Sequence, residues 1–89
     1  MDKIAVKRIA ESENAIEFAV SADGRNFKVS LDMDYYRQLT GRKIGPEKLI
    51  KKSFEFLLKH ESADFILSEF NLKVIQQYFP EYEKEIVRK

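Results

Sequence analysis

The chain of 89 residues contains no cysteine, and it has only three glycines, two prolines and one histidine. Without cysteine the protein has neither disulfides nor thiolate metal sites, which is typical of a cytoplasmic protein. A zinc site would have to combine His60 with Glu61 or Asp64, short of the four ligands of a structural site. We therefore expect no metal and no cofactor.

Long apolar runs and an excess of one charge are also absent. No run approaches the ~18 apolar residues of a membrane span, and "MDKIAVKRIA" lacks the apolar segment of a signal peptide. Sixteen Lys and Arg against fifteen Asp and Glu leave a net charge of +1, so the overall charge does not indicate a polyanionic partner. We expect a single soluble domain over residues 1–89, cytoplasmic and without a membrane partner.

A β-hairpin is the clearest local prediction, in "AIEFAVSADGRNFKVSL", residues 15–31. Asp23-Gly24 suits the two positive-φ positions of a type I′ turn. That turn fixes a register in which the apolar side chains of both strands share one face, since successive residues alternate between faces. The predicted pairs on that face are Val20 with Phe27, Phe18 with Val29, and Ile16 with Leu31.

Upstream of the hairpin, Ile4 and Val6 are in phase but Ile9 is not. A β-bulge near Lys7-Arg8 would reconcile them, and so would a strand that ends early. The short link that follows favours a three-stranded antiparallel meander over residues 1–31, with the third strand at the edge of the sheet.

Helical signals follow over residues 32–89. Asp32 is a candidate N-cap for a short helix closed by Gly41, and Pro46 can open a longer helix to about His60. The longer helix has an apolar arc of roughly 200°, which predicts a central position between the sheet and later helices. Further helices are expected after Ser62 ("ADFILSEF"), Asn71 ("LKVIQQYF") and Pro80 ("PEYEKEIVRK"). The predicted class is α+β: the meander followed by four or five helices packed on one face.

Catalytic chemistry has one candidate segment, "HESAD", residues 60–64. A nucleophilic triad needs a tertiary arrangement that five consecutive residues across a helix break rarely supply. The alternative gives each residue a structural role, with His60 at a helix C-terminus, Ser62 as a cap and Asp64 in a first turn. We therefore expect a protein that is not an enzyme.

Basic residues near a helix N-terminus form a possible anion site in "TGRKIGPEK", residues 40–48. The segment does not match the phosphate-loop pattern, because no Lys-Ser or Lys-Thr follows the second Gly. Two helix caps and a solvated loop are the favoured interpretation. The candidate residues for contact with an anion or nucleic acid are Arg25, Lys28, Arg42 and Lys43.

Aromatic residues crowd the last 25 residues, where each could bury some 150–250 Å². They form either the edge of the core or a surface for a partner. The candidate interface residues are Phe70, Tyr78, Phe79 and Tyr82. Together with the small size of the domain, they favour a non-enzymatic interaction module that forms a homodimer or binds another protein.

A resemblance points to a second possibility. The stretch "FKVSLDMDYYRQLTGRKIGPEKLIKKSFEFLLKHE", residues 27–61, resembles the ribbon-helix-helix family of DNA-binding proteins. This resemblance implies a strand that pairs across a dimer and enters the major groove, with Asn26, Lys28 and Ser30 as base readers. The segment "FNLKVIQQYFPEYEKEI" resembles small bacterial proteins of uncharacterised function and implies no mechanism.

Overall fold

The computed structural model describes residues 4–86, which fold into an α+β domain built on one four-stranded sheet. The strands are β1 (Ile4–Glu11), β2 (Ala15–Ala22), β3 (Arg25–Asp32) and β4 (Glu69–Asn71), and they lie in that order across the sheet. The first three form an antiparallel meander, as predicted, and β4 pairs parallel with β3.

The hairpin of β2 and β3 has the predicted turn and register. Asp23 and Gly24 both have positive φ, at 51° and 76°, as a type I′ turn requires. Ala22 pairs with Arg25, and the three predicted apolar pairs face one another. All six of those apolar side chains are buried, so turn chemistry and alternation together determined the core face of the sheet.

The predicted bulge in β1 is also present. The register of β1 against β2 shifts between Arg8 and Ala10, which leaves Ile9 unpaired. Arg8 lies in phase with the core-facing positions and reaches over to helix α2 (Pro46–His60), where its guanidinium donates to Glu47 at 2.8 and 2.9 Å. The bulge thus changes the phase of the strand where it meets the helical layer.

Four α-helices follow β3 in the described part of the chain. Helix α2 has the predicted bounds, because Gly45-Pro46 opens it and its last turn is basic. Two 3-10 turns, Ala63–Phe65 and Leu72–Val74, lie between the helices. The helices are α1 (Met33–Thr40), α2 (Pro46–His60), α3 (Ile75–Tyr78) and α4 (Tyr82–Ile86).

Gly41 and Asn71 act as the predicted caps, whereas Asp32 and Ser62 make no side-chain capping bond. Gly41 closes α1 at φ 60°, and the Asn71 side chain accepts from the Lys73 N–H. Asp32 stands at the N-cap of α1 but its side chain makes no capping bond. Its carboxylate instead accepts from Asn71 Nδ2 at 3.3 Å and pairs with Lys73 at 3.0 Å. Asp32 therefore ties the start of α1 to the segment after β4.

Two expectations for residues 62–71 were wrong. The segment after Ser62, predicted to be a helix, is a single 3-10 turn followed by β4. Strand β3, predicted to be an edge strand, is not one, because β4 pairs with its Lys28–Ser30 segment. The Lys28 N–H also donates to the Ser68 carbonyl at 2.8 Å, and Arg25 forms an ion pair with Asp64. The free hydrogen-bonding edge of β3 thus captures the segment in extended form.

Helix α2 is central, as its wide apolar arc predicted. The Phe54 ring lies 5.1 Å from that of Phe27 on the sheet, and the Phe56 ring lies 5.3 Å from that of Tyr82 in α4. One side of α2 therefore covers the sheet and another supports the C-terminal helix. Within residues 4–86, none of the helices has the length and apolar character needed to cross a bilayer.

Candidate partner-binding groove

An apolar groove opens between the C-terminal end of α2, the 62–68 loop and α3. Its volume is about 190 Å³. Its floor is made of the half-buried Val74 and of side chains that belong to the core or pack against it: Leu57, Ile66, Phe70, Ile75 and Phe79. The groove is therefore an extension of the core that reaches the surface.

Three large apolar side chains stand exposed around this floor. Phe65 is 77% exposed, Tyr78 is 68% exposed and Leu67 is 54% exposed. In the described part of the chain, only one other large apolar side chain is comparably exposed, namely Ile9 at 46%. Exposed apolar groups scattered singly are ordinary, but a cluster around a concave floor marks an interaction site.

The 62–68 loop, which carries Phe65 and Leu67, is fixed at both ends. The ion pair of Asp64 with Arg25 ties its start to the hairpin turn. The bond from the Lys28 N–H to the Ser68 carbonyl ties its end to the middle of β3. Since the loop is held at both ends, the two exposed side chains are presented by a fixed backbone, which lowers the entropy cost of binding.

An aromatic layer supports Phe79 from beneath. The Phe79 ring lies 5.7 Å from Phe56 in an edge-to-face arrangement and 5.1 Å from the ring of His60. The ring of His60 lies 4.5 Å from that of Phe56 as well. These separations are those of favourable aromatic pairs. His60 is itself exposed and does not line the groove, but its ring packs against both phenylalanines.

Tyr82 anchors the helix that follows the groove. It is fully buried, and its hydroxyl lies 2.6 Å from Ser53 Oγ. Ser53 Oγ lies 2.7 Å from the Leu49 carbonyl, which can only accept, so the serine proton points there. Tyr82 must then donate to Ser53. Burial raises the pKa of the Tyr82 phenol above its ordinary value, so Tyr82 stays protonated.

A second phenol joins α4 to α1. The Tyr35 hydroxyl donates to Glu83 Oε2 at 2.8 Å. Burial, and next the bond to the Glu83 carboxylate, raise the pKa of Tyr35 above its ordinary value. Through Tyr35 and Tyr82 the short helix α4 is held to both α1 and α2, which explains how five residues form a stable element.

Among the described residues that line the groove, one is charged. Glu61 is the single ionisable acid or base among the lining residues apart from the Tyr78 phenol. Its side chain is half-buried, and no ion pair to it forms within residues 4–86. An uncompensated carboxylate beside an apolar floor favours an occupant that brings a positive charge next to an apolar group.

Three of the four predicted interface residues line the groove. Phe70 and Phe79 contribute to its floor and Tyr78 to its exposed wall. Tyr82 lies in the core, since the restart of the helix after Pro80 turns its ring inward against Phe56 and Ser53. Tyr82 therefore supports the groove and does not form its surface.

Two wall residues were absent from the predicted interface. Phe65 and Leu67 were expected inside a helix, where one face of "ADFILSEF" would have covered the core. Phe65 instead ends the 3-10 turn Ala63–Phe65, and Leu67 lies between that turn and β4; both side chains are exposed at the groove wall. The signal that could have found them is the apolar run Phe65-Ile66-Leu67, three consecutive residues that do not show the apolar periodicity of a helix.

The four basic candidates for anion contact are not gathered into one patch. Arg25 lies on the same face of β3 as the buried Phe27 and forms an ion pair with Asp64. Lys28 is exposed on the opposite face of the sheet. Arg42 and Lys43 are exposed in the loop between α1 and α2, where their N–H groups donate to Thr40.

The "HESAD" residues are also dispersed. His60 packs on Phe56 and Phe79, Asp64 pairs with Arg25, and Ser62 precedes the 3-10 turn without a side-chain capping bond. Across residues 4–86 there is no group of three or more His, Cys, Asp or Glu side chains placed to hold a metal ion. These residues have structural surroundings and do not converge on one point.

Comparison with known proteins leaves the groove as the main guide to function. No protein-family model matches the chain, and neither the curated proteins nor the solved structures contain a significant match.

Proposed function

We propose that this protein is a small non-enzymatic interaction module that binds another protein chain through the apolar groove, and that it forms a homodimer there. The observation that supports the proposal is the exposed trio of Phe65, Leu67 and Tyr78 around a floor continuous with the core. Fully burying a large apolar side chain contributes about 1.5–3 kcal/mol. Three such side chains can provide the centre of a binding site.

The size of the groove favours a protein side chain over a free small molecule as the occupant. Pockets for drug-sized ligands usually measure about 300–1,000 Å³, whereas this groove measures about 190 Å³. A groove of that size accommodates one anchoring side chain, with the exposed trio contacting the surface around the anchor.

Sedimentation equilibrium of the full chain tests the proposal. The wild type should show a concentration-dependent rise in molar mass from monomer to dimer. The double variant Leu67→Ser/Tyr78→Ser should weaken the dimer by at least about 100-fold, because it removes two apolar side chains from each copy and each lost contact costs about 1.4 kcal/mol or more. Both side chains are more than half exposed, so the variant should keep the thermal stability of the wild type.

Gln77→Ser is the matched control, because Gln77 is an exposed neighbour in α3 that does not line the groove. This variant should dimerise like the wild type. A wild type that stays monomeric at every concentration, or a double variant that dimerises normally, would refute the proposal.

Nucleic-acid binding is the second candidate, and one observation favours it. Lys7 and Lys28 lie in the same row of the open sheet face, on either side of Ala19. Two lysines on either side of a small residue can both contact the phosphates of a nucleic acid. If this candidate is right, the affinity for duplex DNA should fall steeply as salt is raised, and Lys7→Gln/Lys28→Gln should reduce the slope by about two. Binding that does not depend on salt would contradict it.

A further inference from the structure

The exposed Ile9 is the one large exposed apolar side chain of the described residues that does not lie at the groove. It occupies the bulge of β1, where it has no partner residue in β2. Bulges commonly re-aim a side chain away from its strand. Ile9 therefore projects from the surface as a single aliphatic group.

Positive charge accompanies Ile9. Lys7 and Arg8 precede it directly, and Arg8 is already paired with Glu47 and Glu11. Lys7 is exposed and forms no ion pair within residues 4–86. The bulge thus presents an apolar group two residues from a lysine that forms no ion pair in the described part of the chain.

The groove has the complementary chemistry. Its floor is apolar, and Glu61, its one charged residue, lacks a counter-ion in the described part of the chain. A symmetric contact of groove against groove would bring two such carboxylates toward each other, which is unfavourable in a partly desolvated interface. A contact of Ile9 with the groove would instead place a lysine beside each glutamate.

We infer that the occupant of the groove is Ile9 of a second copy of the chain, with Lys7 of that copy paired to Glu61. This inference rests on the proposed homodimer and specifies its contacts. One side chain in a groove buries far less than the roughly 1,200 Å² of a stable interface. Two such contacts related by a two-fold axis, with each copy giving one Ile9 and one groove, would close the interface, whereas single contacts in succession would form an open chain of more than two copies.

The bulge also explains why the contact uses a side chain and not strand pairing. In the described chain β1 pairs with β2 alone, so its other edge has free hydrogen-bonding groups. An irregular register and a charged residue at an edge both discourage addition of another strand. The same feature that protects the edge therefore presents Ile9.

A complementation experiment tests the inference. Ile9→Ser removes the projecting side chain and keeps the groove, while Leu67→Ser/Tyr78→Ser keeps Ile9 and removes the groove wall. Each variant alone should dimerise at least tenfold more weakly than the wild type. A mixture of the two should associate more tightly than either alone, because a mixed dimer retains one complete contact. A mixture no tighter than its components would overturn the inference.

Charge reversal gives an independent test that does not depend on Ile9. Lys7→Glu and Glu61→Lys should each weaken the dimer by about three- to tenfold, and the double variant should return close to the wild-type affinity. Lys28→Glu, on the same open face as Lys7, is the control and should have no effect. If the double variant is as weak as the sum of its parts, the pairing is wrong.

The outcomes separate this inference from the function on which it rests. A dimer that tolerates Ile9→Ser but is lost in Leu67→Ser/Tyr78→Ser would keep the groove as the interface and overturn the role of Ile9. A wild type that never dimerises would overturn both. Thermal unfolding of each variant excludes loss of fold as the cause.

Discussion

The Tyr82 hydroxyl donates to Ser53 Oγ at 2.6 Å and so joins α4 to α2 inside the core. The Ser53 hydroxyl in turn donates a hydrogen bond to the Leu49 carbonyl at 2.7 Å. The two hydroxyls are fully buried and form a short directional chain in otherwise apolar surroundings. The direction of this chain determines which of its members is costlier to remove.

Ser53→Ala should therefore destabilise the protein more than Tyr82→Phe. Without Ser53 the buried Tyr82 proton has no acceptor, which costs about 1–3 kcal/mol. Without the Tyr82 hydroxyl, Ser53 still donates to Leu49, and the cost is about 0.5–1.5 kcal/mol. Urea unfolding gives both values. The double variant should cost less than the sum of the two, and strict additivity would show that the hydroxyls do not interact.

Gly24→Val should destabilise by more than about 1 kcal/mol, because Gly24 has φ +76°, which a β-branched residue resists. Open space surrounds the position, with nothing within 4 Å of an added Cβ, so backbone conformation and not crowding sets the cost. Gly24→Asn is the matched control, since asparagine tolerates positive φ, and it should be much milder in thermal unfolding. Equal losses for both variants would count against the type I′ turn.

The ion pair of Arg8 with Glu47 should contribute stability at neutral pH that disappears in acid. The hydrogen bond from Arg8 holds the pKa of the Glu47 carboxyl below its ordinary value of 4.5. The contribution of the ion pair to stability is therefore complete above pH 4.5. It is lost as the pH falls through the pKa that the Glu47 carboxyl has in the folded protein, which is the lower of the two. The side chains of Arg8 and Glu47 are 33% and 44% exposed. The ion pair therefore contributes less than about 1 kcal/mol to stability.

Chemical unfolding of Glu47→Gln against the wild type at a series of pH values checks this. The wild type should be more stable near pH 7 and lose that advantage in acid, as the pH falls through the lowered pKa of the Glu47 carboxyl. Glu55→Gln on the same helix is the control, because Glu55 forms no ion pair within residues 4–86. A wild-type advantage that is constant over pH would be inconsistent with the ion pair as its source.

Alkaline pH should destabilise the fold through Tyr35 and Tyr82. Burial raises both phenol pKa values above the ordinary 10.0. The stability that depends on them is complete below pH 10 and is lost as the pH rises above it, because the unfolded chain ionises first. Tyrosinate absorbance followed together with circular dichroism should show these phenols ionising only as the chain unfolds. Full ionisation in a folded chain would contradict their burial.

The elements that could be predicted from the sequence are those with local causes. Asp23-Gly24 fixes one turn type, and alternation on either side of it fixes one register, so the hairpin needed no knowledge of distant residues. Pro46 and the apolar arc of α2 likewise define a helix without reference to its neighbours. The bulge followed from the phase conflict between Val6 and Ile9.

Strand β4 could not be predicted, because its cause is not local. Three residues give no periodicity, and Glu69–Asn71 becomes a strand only because the edge of β3 is free to bind it. The segment before β4 is a 3-10 turn and a loop in place of the predicted helix, and it leaves Phe65 and Leu67 exposed at the groove wall. Tyr82 was assigned to the surface because its buried acceptor, Ser53, lies 29 positions earlier in the chain.

The central claim is that the groove is where a second chain binds. Side-chain nuclear magnetic resonance spectra of the full-length protein, recorded over a dilution series, test it most directly. The account predicts concentration-dependent shifts at Phe65, Leu67 and Tyr78, with the same midpoint as the change in molar mass. Shifts confined to the open sheet face around Ala19 and Lys28, or spectra that do not change with concentration, would contradict it.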